Sequence, residues 1–177
     1  MKKYLIDSNS LISPYKTFYQ FELVPSFWEW LKPVYDQSIF LVDKVRDELR
    51  PAKKSKDKDE LQKWIETNCL AEEKIILPNT DIEVLNNYAK VLNHVDQSPF
   101  YKQKSYDLWA DFKKADPWLI AIALTHGYTI VTMEVRNTHL GSGPATSKEP
   151  KIPDVCNALG VECINLYDLM HDHNCSI

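Results

Sequence analysis

No stretch of this chain approaches the ~20 apolar residues that a membrane-spanning helix requires. The longest apolar run is only Trp118 to Leu124. The N-terminus carries Lys2 and Lys3 but reaches Asp7 and Ser8 within a few residues, so no signal peptide is read there. Cys69, Cys156, Cys163 and Cys175 are scattered without a CxxC pair, as in reduced thiols of a cytoplasmic protein. Basic charge is not in excess either: the formal net charge is −4, which does not advertise nucleic-acid binding. "GSGPAT" (Gly141 to Thr146) lacks the third glycine and the preceding strand of a dinucleotide-binding turn. With no G-x-S-x-G, a serine hydrolase of that kind is excluded too. There is neither an internal repeat nor a linker. The 177 residues, 44% apolar and with five Trp, read as one compact domain spanning 1–177.

What is present is a regular alternation. Short apolar, β-prone runs fall at Tyr4 to Ile6, Ile39 to Val42, Ile75 to Leu77, Tyr128 to Thr132 and Val161 to Ile164. Several are too continuous to have a wet face, which suits strands covered on both sides. Helical patterns lie between them. Ser26 and Glu29 are spaced as a capping box before Phe27, Trp28, Leu31, Val34 and Tyr35, and Pro33 is expected to kink or end that helix. Leu61, Trp64 and Ile65 mark a second helix. Thr80 and Glu83 are expected to cap a third, with Leu85, Tyr88, Ala89 and Leu92 on its apolar face. Asp116-Pro117 opens a fourth that Gly127 ends, and Asn137 to Pro153 reads as a long loop. The alternation predicts an α/β layer fold with a mostly parallel sheet.

Ligands of such sheets bind outside the carboxyl ends of the strands. In "KYLIDSNSLI" (Lys3 to Ile12) an apolar strand ends in Asp7 and then small polar residues; Glu134 stands two residues beyond "YTIVT". In "LVDKVRDELR" a helix would set Glu48 about 60° from Val45, bordering the apolar face, and turn Asp47 to solvent. A boundary glutamate that reaches out to water, or that pairs with Arg46 or Arg50, is the alternative. In "ADPWLIAIAL" Asp116 opens a helix that is apolar nearly all round, where N-capping alone also accounts for an acid. Four carboxylates brought together repel one another and raise their pKa values, and a divalent cation removes that cost. Mg²⁺ takes hard oxygen ligands, often only one or two carboxylates with several waters. The chemistry this suggests is metal-assisted phosphodiester hydrolysis.

These four segments resemble, in order, the motifs of PIN-domain nucleases: "YLIDSNSLI", "VRDEL", "DPWLIAIAL" and "YTIVTMEVRN", spread from Lys3 to Leu169. The resemblance implies a PIN-like three-layer α/β/α sandwich with a central, mostly parallel sheet. It implies a Mg²⁺- or Mn²⁺-dependent endoribonuclease with Asp7, Glu48 and Asp116 as metal-binding acids and Glu134 as the fourth. Ser8 and Asn9 would orient Asp7 or a water. It further implies a VapC-like toxin with a protein antitoxin as partner; a homodimer is compatible with it. The chain departs from the compact toxins in having Glu134 where Asp is more usual and in being longer. Asp154 in "KIPDVC" is a candidate auxiliary acid or a helix N-cap.

Aromatics and lysines interleave in "SPFYKQKSYDLWADFKK" (Phe100, Tyr101, Tyr106, Trp109, Phe112), a composition that suits stacking on single-stranded RNA, docking of a partner helix, or an amphipathic segment with its rings packed inward. Lys53, Lys54, Lys56 and Lys58 read as a solvated loop. His171, His173 and Cys175 read as a frayed terminus in preference to a soft-metal site. Two other functions stay open: a PIN-like module that binds RNA or protein without cutting, and an aspartate-dependent phosphatase. Asn9 counts against the phosphatase, which usually carries a second Asp two residues after the first.

Overall fold

All five apolar runs become strands of one sheet. The computed structural model describes residues 2–50 and 57–177, so Lys53, Lys54 and Lys56 lie outside the described residues. The strands are β1 (Tyr4–Ile6), β2 (Ile39–Val42), β3 (Ile75–Ile76), β4 (Thr129–Val131) and β5 (Cys163–Ile164), in the order β3-β2-β1-β4-β5. Every pairing is parallel, with Tyr4 opposite both Ile39 and Thr129. The three central strands are buried almost without interruption, and the two edge strands only partly. That is the burial expected when helices cover both faces of a parallel sheet.

Nine α-helices flank the sheet among the described residues: α1 (Asn9–Lys16), α2 (Pro25–Ser38), α3 (Asp43–Leu49), α4 (Glu60–Asn68), α5 (Ile82–Gln97), α6 (Gln103–Trp109), α7 (Ala115–His126), α8 (Ile152–Leu159) and α9 (Leu166–Asp172). The result is a three-layer α/β/α sandwich. On one face α2 and α9 meet, where the Trp30 indole donates to the His173 carbonyl and the Tyr4 hydroxyl of β1 donates to Asp172. The helix α7 lies against β2 and β4 with α5 packed across it, so every residue from Ala115 to Ala123 is buried. Its all-round apolar sequence is the consequence of having neighbours on every side. It ends at Gly127, whose φ of +68° is the left-handed conformation that glycine adopts without a Cβ penalty.

Several helix ends differ from expectation. Helix α2 starts one residue before Ser26, with Pro25 in the first position, and no side chain caps it. Pro suits that position because the first N–H groups have no helical partner anyway. The helix also runs through Pro33 to Ser38, losing only the bond that the missing N–H would make; Phe27, Trp28, Leu31, Val34 and Tyr35 are buried along it as expected and hold it together. Helix α5 is capped by Asp81, not Thr80: Asp81 Oδ1 accepts from the amides of Glu83 and Val84, while the Thr80 hydroxyl donates to the Leu77 carbonyl. Its buried residues are Val84, Val91 and Val95; Leu85, Tyr88 and Leu92 pack partly against the core and Ala89 is exposed. The C-terminal segment is docked, not frayed: His173 packs edge-on against Tyr4, and the Cys175 amide donates to the Met170 carbonyl. No helix among the described residues is long and apolar enough to cross a membrane.

Candidate functional site

The chain runs β1-β2-β3 toward one edge of the sheet, then returns so that β4 and β5 extend toward the other. The direction reverses between β1 and β4, and outside the carboxyl ends of those two strands an open α/β sheet forms its ligand crevice. Asp7 is the first residue after β1, and its amide donates to the Val131 carbonyl at 2.9 Å, which carries the ladder one residue past the strand. Thr132, Met133 and Glu134 follow β4 directly. The reversal thus places two of the four predicted acids, far apart in sequence, at one crevice.

A small network fixes them. The Thr132 hydroxyl donates to Asp7 Oδ2 at 2.7 Å and accepts from the Glu134 amide at 3.1 Å, joining the two strand ends through one oxygen. Asn9 Oδ1 accepts from the Met133 amide at 2.8 Å. Asn9 therefore ties the end of β1 to the end of β4. The Ser8 hydroxyl donates to Glu48 Oε2 at 2.7 Å and so orients Glu48, while the Ser8 backbone hydrogen-bonds the Asp7 carboxylate. Glu48 reaches the site's border on α3 and stays exposed. Its pairing with Arg46 or Arg50 does not occur, because Asp47 takes both, at 2.9 and 3.4 Å.

Asp116 reaches the same place from α7. It is the second helical residue, behind Lys114 at the cap position, and no side-chain cap is made, so capping does not account for it. Asp7 and Asp116 are 4% and 5% exposed. Burial pushes Asp7 up to about 6; the Thr132 hydroxyl opposes this, and Glu134 and Glu48 add to it. Burial pushes Asp116 up to about 7; Lys114 opposes this, and Asp7 and Glu134 add to it. The charge of Glu134 thus reaches both buried acids, and that of Asp7 reaches Asp116.

Glu149 and Lys151 carry no signal in the sequence, and Lys114 is legible there only as a lysine of the aromatic stretch. Lys114 Nζ lies 3.2 Å from Asp116 Oδ2 and 2.6 Å from Glu149 Oε1. Lys151 Nζ lies 2.6 Å from Glu134 Oε1, and the Ile152 amide donates to Glu134 Oε2 at 2.8 Å. Glu134 is thereby held at the start of α8 with both oxygens engaged. Asp154 is not an N-cap: it is the third residue of α8, buried, accepting from the Asn137 amide at 3.1 Å and facing Arg136 Nε at 3.5 Å. A fifth acid, Asp43, is buried at the carboxyl end of β2; Lys44 meets its Oδ2 at 2.7 Å and its Oδ1 has no partner among the described residues. The alternation of apolar strand and polar residue that marks Asp7 also marks Asp43, which follows "IFLV".

The donors are hard oxygens; among the described residues Lys114 offsets the charge of Asp116, while Asp7 has the hydrogen bonds of Thr132 and the Ser8 backbone but no cation. Asp7 and Asp116 are accordingly the pair suited to a divalent cation that keeps most of its waters. Among the described residues no three His, Cys, Asp or Glu side chains converge closely enough for a cage built from protein alone. His171, His173 and Cys175 form no such group either. The aromatic stretch is divided: Trp109 is fully buried and Tyr101 nearly so, while Phe100 and Phe112 are half-exposed.

Fold and site together define an α/β sandwich with an acidic crevice at the point where its strand order reverses. From residue 4 to residue 177 the chain matches the family described as a domain of unknown function, DUF4411, and it belongs to that family. No match to a curated protein is found.

Proposed function

We propose that this chain is a Mg²⁺- or Mn²⁺-dependent endoribonuclease of PIN type. The observation that carries the reading is the burial of Asp7 and Asp116, from β1 and α7, at the crevice where the strand order reverses, with Glu134 near enough to raise both pKa values. Burying charge costs several kcal/mol unless a partner offsets it, and of the two carboxylates only Asp116 has a cation beside it, Lys114 at 3.2 Å. A divalent cation bound there supplies charge to offset them, Lewis acidity toward a phosphate, and a more acidic water. The chain's own part is positional. Thr132 and the Ser8 backbone hold the Asp7 carboxylate, Asn9 locks the two strand ends together, and the Ser8 hydroxyl aims Glu48 at the border of the crevice. Lys114 and Lys151 set a positive flank beside the acids.

A second reading has its own support. Glu134 has both oxygens engaged by Lys151 and Ile152, and no three-residue cage forms among the described residues. Both features suit a module that binds RNA or a partner without cutting. The two readings separate on a mixed RNA substrate incubated with Mg²⁺ or Mn²⁺, using the native chain, Asp7→Asn and an EDTA control. The nuclease reading expects metal-dependent cutting that falls by at least about 100-fold in Asp7→Asn, the scale of losing a group that stabilises a transition state. Equal behaviour of native and variant with every metal leaves the binding module. A role as the toxin of a toxin–antitoxin pair belongs to the nuclease proposal. It expects growth arrest when the native chain is produced, and none with Asp7→Asn.

A further inference from the structure

Lys114 is held from two sides, and only one side belongs to the acidic crevice. Asp116 is buried and fixed by α7; Glu149 comes from the segment before α8, with its side chain 35% exposed, and it makes the shorter contact, 2.6 Å against 3.2 Å. Lys114 itself is 27% exposed, so solvent reaches the pair. The backbone around Glu149 is anchored independently of that contact. The Ser105 hydroxyl donates to the carbonyls of Thr146 and Lys148, the amides of Lys102 and Thr146 extend a short bridge between 100–102 and Thr146, and Pro150 is buried. Glu149 can therefore leave Lys114 by rotating its side chain, with no movement of the loop.

We infer that Glu149 occupies, on Lys114, the place of a backbone phosphate of single-stranded RNA, and that the incoming phosphate displaces it. The inference rests on the nuclease reading for its substrate class. A carboxylate and a phosphodiester present the same feature to an ammonium group, an anionic oxygen within hydrogen-bond reach. Lys114 is well placed for the exchange because Asp116 holds it from the buried side at 3.2 Å while Glu149 meets it from a partly exposed side chain. Lys151 stands on the same flank, paired with Glu134 and within electrostatic reach of Glu149 and Asp116. An acidic chain thereby keeps a cation for a polyanion next to an acidic crevice, covered until the substrate arrives.

The test is binding of a short, unstructured, fluorescein-labelled RNA by anisotropy, in Ca²⁺ with recovery of intact RNA checked. The proteins are the native chain, Glu149→Gln, Lys114→Gln and the double variant. Glu149→Gln is expected to bind about 3- to 10-fold tighter and Lys114→Gln at least about 5-fold weaker, each corresponding to one phosphate contact. In the Lys114→Gln background, Glu149→Gln is expected to change nothing, because the coupling between the two runs through their contact. A gain that persists in that background is general relief of repulsion and overturns the inference. So does an unchanged affinity in Glu149→Gln. Should Lys114→Gln fail to fold, the salt dependence decides. Glu149→Gln is expected to show a log–log slope steeper than native by about 0.7, one more phosphate neutralised on a single strand, and an unchanged slope overturns the inference. A native chain that binds no RNA at all overturns both this inference and the nuclease reading, whereas binding with the wrong variant pattern overturns this one alone.

Discussion

Burial at the end of β1 pushes the Asp7 carboxyl up to about 6. Its raised pKa has a consequence for stability that needs no substrate. A carboxyl that is harder to ionise in the folded state than in the unfolded chain adds nothing unfavourable at pH below about 4, where both states are protonated. From about pH 4 up to about 6 for Asp7 and about 7 for Asp116, the unfolded chain has shed these protons while the folded state still holds them, so stability falls, and it levels off once the folded carboxyls ionise. At about 1.4 kcal/mol per pKa unit, the charge of Asp7 costs the fold on the order of 2–3 kcal/mol above pH 7. In EDTA, the contribution of these two groups to unfolding free energy is therefore expected to decline between about pH 4 and 7. Asp7→Asn, which still offers an oxygen to Thr132, is expected to be more stable than native at pH 8, by about 1–3 kcal/mol in urea unfolding. No difference, or a less stable variant, contradicts the account of Asp7 as an uncompensated buried charge.

At the scale of elements, the helices show which local rules held. Gly127 ends α7 where expected, because the sequence there offers the one residue suited to a left-handed turn. The cap of α5 was read at Thr80, one residue too early. Two adjacent residues can each accept helix amides, and spacing does not choose between them; the turn at Pro78–Thr80 does, by drawing the Thr80 hydroxyl to Leu77. The assignment is measurable. Asp81→Ala is expected to cost about 1 kcal/mol, the usual value of an N-cap, and Thr80→Ala about half of that or less in the same thermal or urea unfolding. The reverse ranking returns the cap to Thr80. Pro33 costs α2 one hydrogen bond, and a face of buried aromatics outweighs that cost.

For the whole molecule, the parallel sheet and its reversal between β1 and β4 set the position of the crevice, and the crevice gathers charge from β1, α3, α7 and the segment after β4. Relief of that charge by a bound cation should appear as a global property. Mg²⁺ or Mn²⁺ is expected to raise the melting temperature relative to EDTA; at about 100 times its dissociation constant a ligand adds about 2.7 kcal/mol, roughly 5–10 °C for a domain of this size. Asp7→Asn, already relieved of the charge, is expected to show little or none of that rise. An equal rise in both proteins moves the cation to some other place.

The strands, their parallel arrangement and the residues Asp7, Asp116 and Glu134 could all be read from the chain, because burial on both faces and the end of a strand are written in consecutive residues. Glu48 was legible as the acid turned away from solvent-facing Asp47, but its partner Ser8 was not, since the two are forty positions apart. Lys114 is legible as one lysine of the aromatic stretch, but nothing there pairs it with Asp116 and Glu149; Glu149 and Lys151 carry no local signal, each in a polar stretch where a charged residue is unremarkable. Their contacts exist because the long return from β3 to β4, and the loop before α8, bring both helix starts to one crevice. Order along the chain records which residues border an apolar run; which charges then face each other depends on how the strands are arranged, and no single segment contains that information.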